Sequence, residues 1–380
     1  MKLGSLFDGS GAAPLAAEIC GITPVWASEV KPYPIRVTRK NFPDMLHLGD
    51  ITAIDGAQIE AVDIITGGSP CQDCSTAGSR KGILHGSRSN LFFEMVRVIR
   101  EMYAATQGKY PRYVVWENVI GALNSNKGDD FLAVVRSFAG IADPEAYVPE
   151  PKRRPGRGGP TLDWKNAGLL VGNGWSIAWR VIDAQFFGVP QRRRRLYLVA
   201  SFGNECAGDI LFERTRLSGD SQTGTCLCEG DSRKNGAGAY PADRAGRNVE
   251  DLYRRWSSLN IRFIPADFSA VSIGNGQLEQ ITMSEVANTL SLIHDQQAVL
   301  IERNGESFLR RLTELECCRL SGFPDDWEDG VRQSRKQSYE MWGNCMVLPC
   351  IFFVINRIKL AEAGALPAQT VTEVLHAQQL

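Results

Sequence analysis

Lys2-Leu3-Gly4-Ser5-Leu6-Phe7-Asp8-Gly9-Ser10-Gly11, followed by Ala12 to Cys20, decides the fold. Residues 2 to 7 form an apolar run of strand length, Asp8 to Gly11 is a glycine turn, and the Ala-rich stretch after it is helical. A strand, a glycine turn and a helix open a nucleotide-type α/β sheet. The two glycines let the backbone approach a ligand closely, while the third glycine of the dinucleotide fingerprint is missing. Asp8 in the turn would repel a pyrophosphate. It suits a ligand with a positive sulfonium and an amino group.

The same strand-then-turn grammar continues. Thr23 to Ser28 is a second strand ending in Glu29, which either accepts both hydroxyls of a ribose or caps the helix at Lys31 to Asn41. Met45 to Leu48 is a short strand before Gly49-Asp50-Ile51-Thr52; Asp50 either accepts from an adenine amino group or caps a helix. Val62 to Thr66 is a buried strand that runs into Gly67-Gly68-Ser69-Pro70-Cys71-Gln72-Asp73-Cys74. Cys71 therefore sits past the carboxyl end of a strand, on the rim where ligands and chemistry collect in open α/β sheets. Its thiolate would be a strong nucleophile. Pro70 fixes the backbone direction before it, and Gln72 offers hydrogen bonds beside it. A plain buried cysteine and a redox pair with Cys74 are the alternatives.

Gly78 to Ser87 is a Gly-rich basic loop able to close on a substrate. Ser89 to Tyr103 has apolar residues at helical spacing, and Leu91 lies on that stripe. Tyr113 to Trp116 is the next strand, with Glu117-Asn118-Val119 at its end; Glu117 either protonates a ring nitrogen or caps. Ala142 to Lys165 reads as an insertion loop whose Lys152-Arg153-Arg154 is a solvated charge run or a phosphate contact. Trp175 to Ala184 and Leu196 to Ala200 are strands flanking Gln191-Arg192-Arg193-Arg194-Arg195. In extended chain, Gln191, Arg193 and Arg195 share one face and can meet one polar target.

From Phe202 the sheet pattern stops, which puts a domain boundary near 202. Short β-like runs follow at Val271 to Ile273 and Ala298 to Ile301. Arg311 to Asp325 reads as a helix with a Thr cap and a Gly-Phe-Pro stop, and Val347 to Leu360 as an apolar helix.

The chain has 380 residues, 43% of them hydrophobic, enough for one large and one smaller domain. Its net charge of -1 excludes a global field toward polyanions, so any nucleic-acid site is a local patch. The 10 cysteines show no disulfide spacing, and no metal set stands out. Met1-Lys2 runs straight into a strand, and no apolar run spans a bilayer, so the expectation is a cytoplasmic protein with reduced thiols and no membrane partner.

Phe7-Asp8-Gly9-Ser10-Gly11, Glu29, Gly49-Asp50, Pro70-Cys71-Gln72, Glu117-Asn118-Val119, Gln191 to Arg195, the Arg-Leu-Thr…Gly-Phe-Pro stretch and Gly343-Asn344 occur in that order. Together they resemble the DNA cytosine-5 methyltransferase family, in its prokaryotic and phage layout. The resemblance covers residues 3 to 201 and 307 to about 360. It implies a doubly wound, mostly parallel sheet of the S-adenosylmethionine-dependent methyltransferase type. Residues 1–201 plus 330–362 would be the catalytic domain, 202–329 a smaller target-recognition domain and hinge, and 363–380 a tail. Sequence reading would fall mainly in 250 to 300.

The resemblance also implies roles. Cys71 is the nucleophile toward C6 of a flipped-out cytosine. Glu117 protonates ring N3, Arg193 orients the base and Glu117, and Arg195 supports both. Phe7, Asp8, Gly9, Ser10, Gly11, Glu29, Asp50, Ile51, Pro70, Leu91 and Asn344 hold S-adenosyl-L-methionine. Gln72, Asn118 and Gln191 position the substrate. Double-stranded DNA is the partner, with a cognate restriction endonuclease possible, and the enzyme is expected to be a nucleoid-associated monomer. A tRNA cytosine-5 methyltransferase and an inactive DNA-binding regulator are the competing readings.

Overall fold

The fold is that of a computed structural model describing residues 1–70, 90–155, 159–212, 268–273, 281–284, 287–288, 296–303 and 306–366. Five parallel strands come first: β1 (Lys2–Leu6), β2 (Thr23–Ser28), β3 (Leu46–His47), β4 (Ile64–Gly67) and β5 (Tyr113–Val119). Between and after them run α1 (Ala12–Ile19), α2 (Pro32–Asn41), α3 (Asn90–Ala105) and α4 (Asp129–Ala142). β4 is buried along its whole length and β1 along all but Lys2, as strands covered on both faces must be.

A two-residue ladder of β6 (Arg153–Arg154) with β7 (Thr161–Leu162) follows. Then come β8 (Ala167–Gly172), β9 (Trp175–Asp183), β10 (Gln191–Arg192) and β11 (Arg194–Phe202). The main sheet has the order β3-β2-β1-β4-β5-β11-β9-β8. β11 slots between β5 and β9 and is antiparallel to both, and β8 is antiparallel to β9. Only β8 and β11 therefore oppose the rest, and the sheet is mostly parallel. Strand order reverses between β1 and β4, which makes the carboxyl ends of those two strands the binding crevice. The glycine turn leaves β1 there, and Gly67-Gly68-Ser69-Pro70 leaves β4 there.

The remaining elements are α5 (Ala207–Leu211), β12 (Phe268–Ile273), β13 (Ile281–Ser284), β14 (Ala287–Asn288), β15 (Gln296–Arg303), β16 (Glu306–Arg311), α6 (Glu314–Leu320), α7 (Arg335–Asn344) and α8 (Leu348–Glu362). A small antiparallel sheet has the order β13-β12-β15-β16. β14 pairs in parallel with β10, so the strand that begins the arginine run also touches the smaller unit.

Helices cover both faces. One core contains Leu3, Leu15, Phe42, Trp327, Trp342, Ile351 and Ile355, and the other Leu6, Trp26, Phe92, Trp116, Phe131 and Trp179. α8 lies along α1. Cys317, Cys318, Leu320, Phe323 and Trp327 join the first core, and so do Ala207, Ile210 and Leu211. The expected boundaries at 202 and 329 thus cut through packed structure: α5 and residues 314–329 sit with the large sheet.

Two further readings change. β3 is shorter than the expected 45–48 strand. β8 was not read at all. Arg153 and Arg154 are exposed, as a solvated charge run is, and pair with Asp129 at 3.0 Å and Asp163 at 3.4 Å.

Candidate active site

Turns on the crevice rim carry several of the expected residues. In the first, Asp8 N–H donates to the Ser28 carbonyl at 3.0 Å and Gly11 N–H to the Asp8 carbonyl at 3.2 Å. Gly11 has φ +82°, and a Cβ there would lie 3.0 Å from Phe42 and from Thr38, so only glycine fits. Phe7 also has positive φ, at 55°. Trp327 Nε1 donates to the Ser10 carbonyl at 2.9 Å and closes the turn from the far end of the chain.

Glu29 meets this turn from β2. Its Oε2 accepts from Gly9 N–H at 3.0 Å, and its Oε1 from Val30 and Lys31 N–H at 2.8 and 2.9 Å. A carboxylate has about four acceptor sites. Glu29 therefore has room for one more donor without giving up a backbone bond, rather than for both ribose hydroxyls. Asp8 is buried, and its Oδ1 accepts from Ser5 Oγ at 2.6 Å. Its Oδ2 is buried with no hydrogen-bond partner among the described residues. Burial pushes this carboxyl up to about 7, with Ser5 pulling it down and Glu29 pushing it further up. An orphaned acid beside a glycine turn fits the cationic groups of S-adenosylmethionine and opposes a pyrophosphate.

Asp50 is exposed and caps a short turn at Ile51–Ala53, accepting from Thr52 N–H at 3.0 Å. Ile51 is buried in the second core, and Leu91 is half-buried against it. Asn344 ends α7 and is exposed, as is Pro70. Cys71, Gln72 and the basic loop 78–87 lie outside the described residues. A cavity of about 610 Å³ between α3 and α4 is lined by Phe93, Arg97, Arg100 and Ser137, and none of the expected site residues lines it.

The approach to Cys71 is well braced. Trp116 Nε1 donates to Ser69 Oγ at 3.0 Å, and Asn118 Nδ2 reaches Ser69 O and Oγ at 3.4 Å. Trp116 and Asn118 are two apart on β5 and share a face. Asn118 thus holds the cysteine turn, two residues before Cys71. Ser69 was missed in the sequence; the Trp-x-Asn spacing opposite it was the available signal. A Cβ on Gly68 would lie 3.3 Å from Glu117 Oε2, so the chain entering the cysteine turn passes directly over Glu117.

Glu117 and Arg195 face each other across β5 and β11. Register pairs Glu117 with Tyr197 and Val119 with Arg195, making Glu117 and Arg195 diagonal neighbours on one face. Arg195 Nε lies 3.3 Å from Glu117 Oε1, and their side chains are 17% and 12% exposed. Burial dominates both groups. It holds the Glu117 carboxyl above the usual range, against the pull of Arg195 and then Arg193. It pushes Arg195 down to about 10, helped by Arg193 and opposed by Glu117.

Arg193 does something else. Its guanidinium donates to the Gly343 carbonyl at 3.1 Å and to the Cys345 carbonyl at 2.7 Å. The closer partner of Glu117 is Arg195, while Arg193 clamps the segment that carries Asn344. The alternation expected along 191–195 holds: Gln191 and Arg193 are buried, and Arg192 and Arg194 are exposed. Gln191 is fully buried with neither amide atom bonded among the described residues. No group of three or more His, Cys, Asp or Glu suited to a metal occurs among the described residues.

Comparison with known proteins agrees with this geometry. The family model for C-5 cytosine-specific DNA methylase matches residues 1–142 and 168–360. The chain is 28% identical to a DNA N-6-adenine-methyltransferase of Escherichia phage P1, over 85% of this chain and 52% of that protein, so it spans about half of that relative. It is 27% identical to the type II methyltransferase M.NlaX of Neisseria lactamica, over 95% of this chain and 96% of the other. The S. pombe Dnmt2 methyltransferase superposes with a TM-score of 0.55 at 18% identity, covering 96% of this chain and 99% of that one, which is a likeness of fold. On the strength of the family match over most of its length, the chain belongs to the C-5 cytosine-specific DNA methylase family.

Proposed function

We propose that the chain transfers a methyl group to C5 of a cytosine flipped out of a specific double-stranded DNA site, through a covalent bond to Cys71. The observation that carries this is the buried Arg195–Glu117 pair, set against the chain that enters the Cys71 turn. Cytosine C5 is too weak a nucleophile to take a methyl group unaided. The Cys71 thiolate forms a bond to C6, and the C5–C6 π pair shifts into the ring. Glu117, whose carboxyl burial raises above its ordinary range, gives a proton to N3, and Arg195 stabilises the carboxylate left behind. S-adenosylmethionine, when bound, supplies a sulfonium-activated methyl for C5. Loss of the C5 proton to solvent, departure of sulfur from C6 with the bonding pair and return of the N3 proton to the Glu117 carboxylate then restore the aromatic ring, the thiolate and the acid. Flipping is required because addition at C6 and methyl delivery to C5 come from the faces of the ring, which stacking covers in the duplex.

Phe7 would stack on adenine, Glu29 bond the ribose, Asp50 bond the adenine amino group, and Asp8 face the cationic end. Leu91 and Asn344 would line the same pocket, and Gln72 and Gln191 would position the base. Target recognition is assigned to 250–300. The small sheet and the β10–β14 pairing support this, because they put that unit beside the rim. Most of the segment's Arg, Asn and Gln residues lie outside the described positions. The enzyme acts as a monomer in the cytoplasm, where DNA is at hand and thiols stay reduced. No single helix among the described residues is long and apolar enough to cross a membrane.

DNA carrying 5-fluorocytosine tests the route, since fluorine at C5 cannot leave as a proton. A cofactor-dependent adduct mapping to Cys71, absent from Cys71→Ser, is expected. Nucleoside analysis of ordinary DNA should give 5-methylcytosine. N6-methyladenine, or methylation of tRNA alone, would overturn the assignment, and so would a methylated site that forms no adduct.

A further inference from the structure

Arg97 lies on α3, a helix that the sequence marks mainly as core. Its side chain leaves that core and reaches the turn that carries Asp50. Nη2 donates to the Ile51 carbonyl at 3.0 Å and Nη1 to the Ile54 carbonyl at 2.8 Å. These carbonyls sit at the start and just past the end of the Ile51–Ala53 turn, which Asp50 caps from the other side. The Ile51 carbonyl already accepts from Ile54 N–H at 3.2 Å and has a second acceptor site, and a guanidinium fork can reach both carbonyls at once.

The fork is itself held. Glu94 Oε2 accepts from Nε at 2.8 Å, and Glu101 accepts from Nη1 at 2.8 and 3.0 Å. Glu101 Oε2 also accepts Gly56 N–H at 2.8 Å, so the same cluster grips the loop at three backbone positions. At Gly56 the contact is so close that a Cβ would lie 2.2 Å from the Val98 carbonyl. Arg97 keeps 33% of its side chain exposed, as do its carboxylates approximately, so the value of the cluster lies in geometry more than in charge.

We infer that Arg97 is a positioning residue for S-adenosylmethionine, acting through the Ile51–Ile54 turn to aim Asp50 at the adenine amino group. This rests on the proposed role of Asp50. Thr52 already engages Asp50 Oδ1 by its N–H and by its hydroxyl at 2.9 Å, so the carboxylate's direction follows the turn. Letting the turn rotate would move Asp50 without touching the chemistry at Cys71 or Glu117. Lys cannot replace Arg here, because one ammonium on a flexible stem does not match two carbonyls in a fixed fork.

The test is calorimetric binding of S-adenosylhomocysteine to the full chain carrying Arg97→Lys, Arg97→Gln, Asp50→Ala or the double change Asp50→Ala/Arg97→Gln. Steady-state kinetics would run in parallel. Each Arg97 variant should weaken binding about tenfold and raise KM for the cofactor, with kcat within about twofold and DNA affinity unchanged. In the Asp50→Ala background, Arg97→Gln should add little, since both act through one contact. Additive losses would overturn the inference, as would Arg97 variants that bind the cofactor normally while Asp50→Ala does not. Normal binding by Asp50→Ala itself would refute the underlying role of Asp50. If Arg97→Gln fails to fold, Arg97→Lys keeps the charge and the test.

Discussion

Replacing Arg195 with Met removes the charge opposite Glu117 and keeps most of the side-chain volume. At 3.3 Å and an effective dielectric near 20, the pair attracts by about 5 kcal/mol before desolvation is counted. Breaking one side of a buried pair costs about 3–5 kcal/mol, and the residual exposure of both groups favours the low end, about 3 kcal/mol. The loss should depend on pH. Burial already raises the Glu117 carboxyl above its unfolded value, so the native state holds this proton more tightly than the unfolded chain does. The resulting stability is present below the unfolded glutamate range and fades as pH rises through the folded value. Without Arg195 that folded value climbs further, because the group that pulled it down is gone. Urea unfolding across a pH series should show the variant's deficit growing as pH rises, to about 3 kcal/mol where Glu117 is ionised. In the same variant kcat should fall about a hundredfold. A deficit that stays flat across pH would refute the idea that Arg195 serves to compensate a buried Glu117.

Other outcomes follow from other parts of the site. Asp8, pushed up to about 7, adds stability at low pH that is lost as pH rises through about 7. Asp8→Asn should remove that decline in Tm, and calorimetry should show cofactor affinity rising through the same range in the parent but not in the variant. Gly56→Ala places a Cβ 2.2 Å from the Val98 carbonyl and should cost about 1–3 kcal/mol in urea unfolding; no loss would mean that the loop is not docked on α3. Replacing residues 250–300 with the matching segment of a relative should transfer the donor's target sequence, read by bisulfite sequencing. An active chimera that still marks the original site would place recognition elsewhere.

The local units were legible because each is a short-range pattern. Strand, glycine turn and helix at 2–20 need only neighbours in the chain, and so does the Thr313 capping box that starts α6. The alternation of 191–195 was legible for the same reason. The roles of those arginines were not. Which of Arg193 and Arg195 meets Glu117 depends on β11 entering between β5 and β9 in one register, a choice made by the whole sheet. Arg193 is committed to the Gly343 and Cys345 carbonyls, 150 and 152 residues away, which no local pattern announces. β8, Ala-Gly-Leu-Leu-Val-Gly, is glycine-bounded and lies at the sheet edge, so its pattern is weak. Where residues 314–329 pack was not legible, because a buried helix face says that a segment packs, not against what.

The bond from Trp327 Nε1 to the Ser10 carbonyl joins residues 317 apart. Phe42 and Phe323 pack edge-on or tilted against that indole, and Asn41 Nδ2 holds its backbone carbonyl at 3.0 Å. During synthesis the ribosome delivers β1 and its glycine turn early, yet the residues that close that turn emerge only after both the main sheet and the intervening unit. Contacts of such separation form late, after the chain entropy of a long loop has been overcome. Until Trp327 has been made, a nascent chain therefore carries the glycine turn without the bond that closes it.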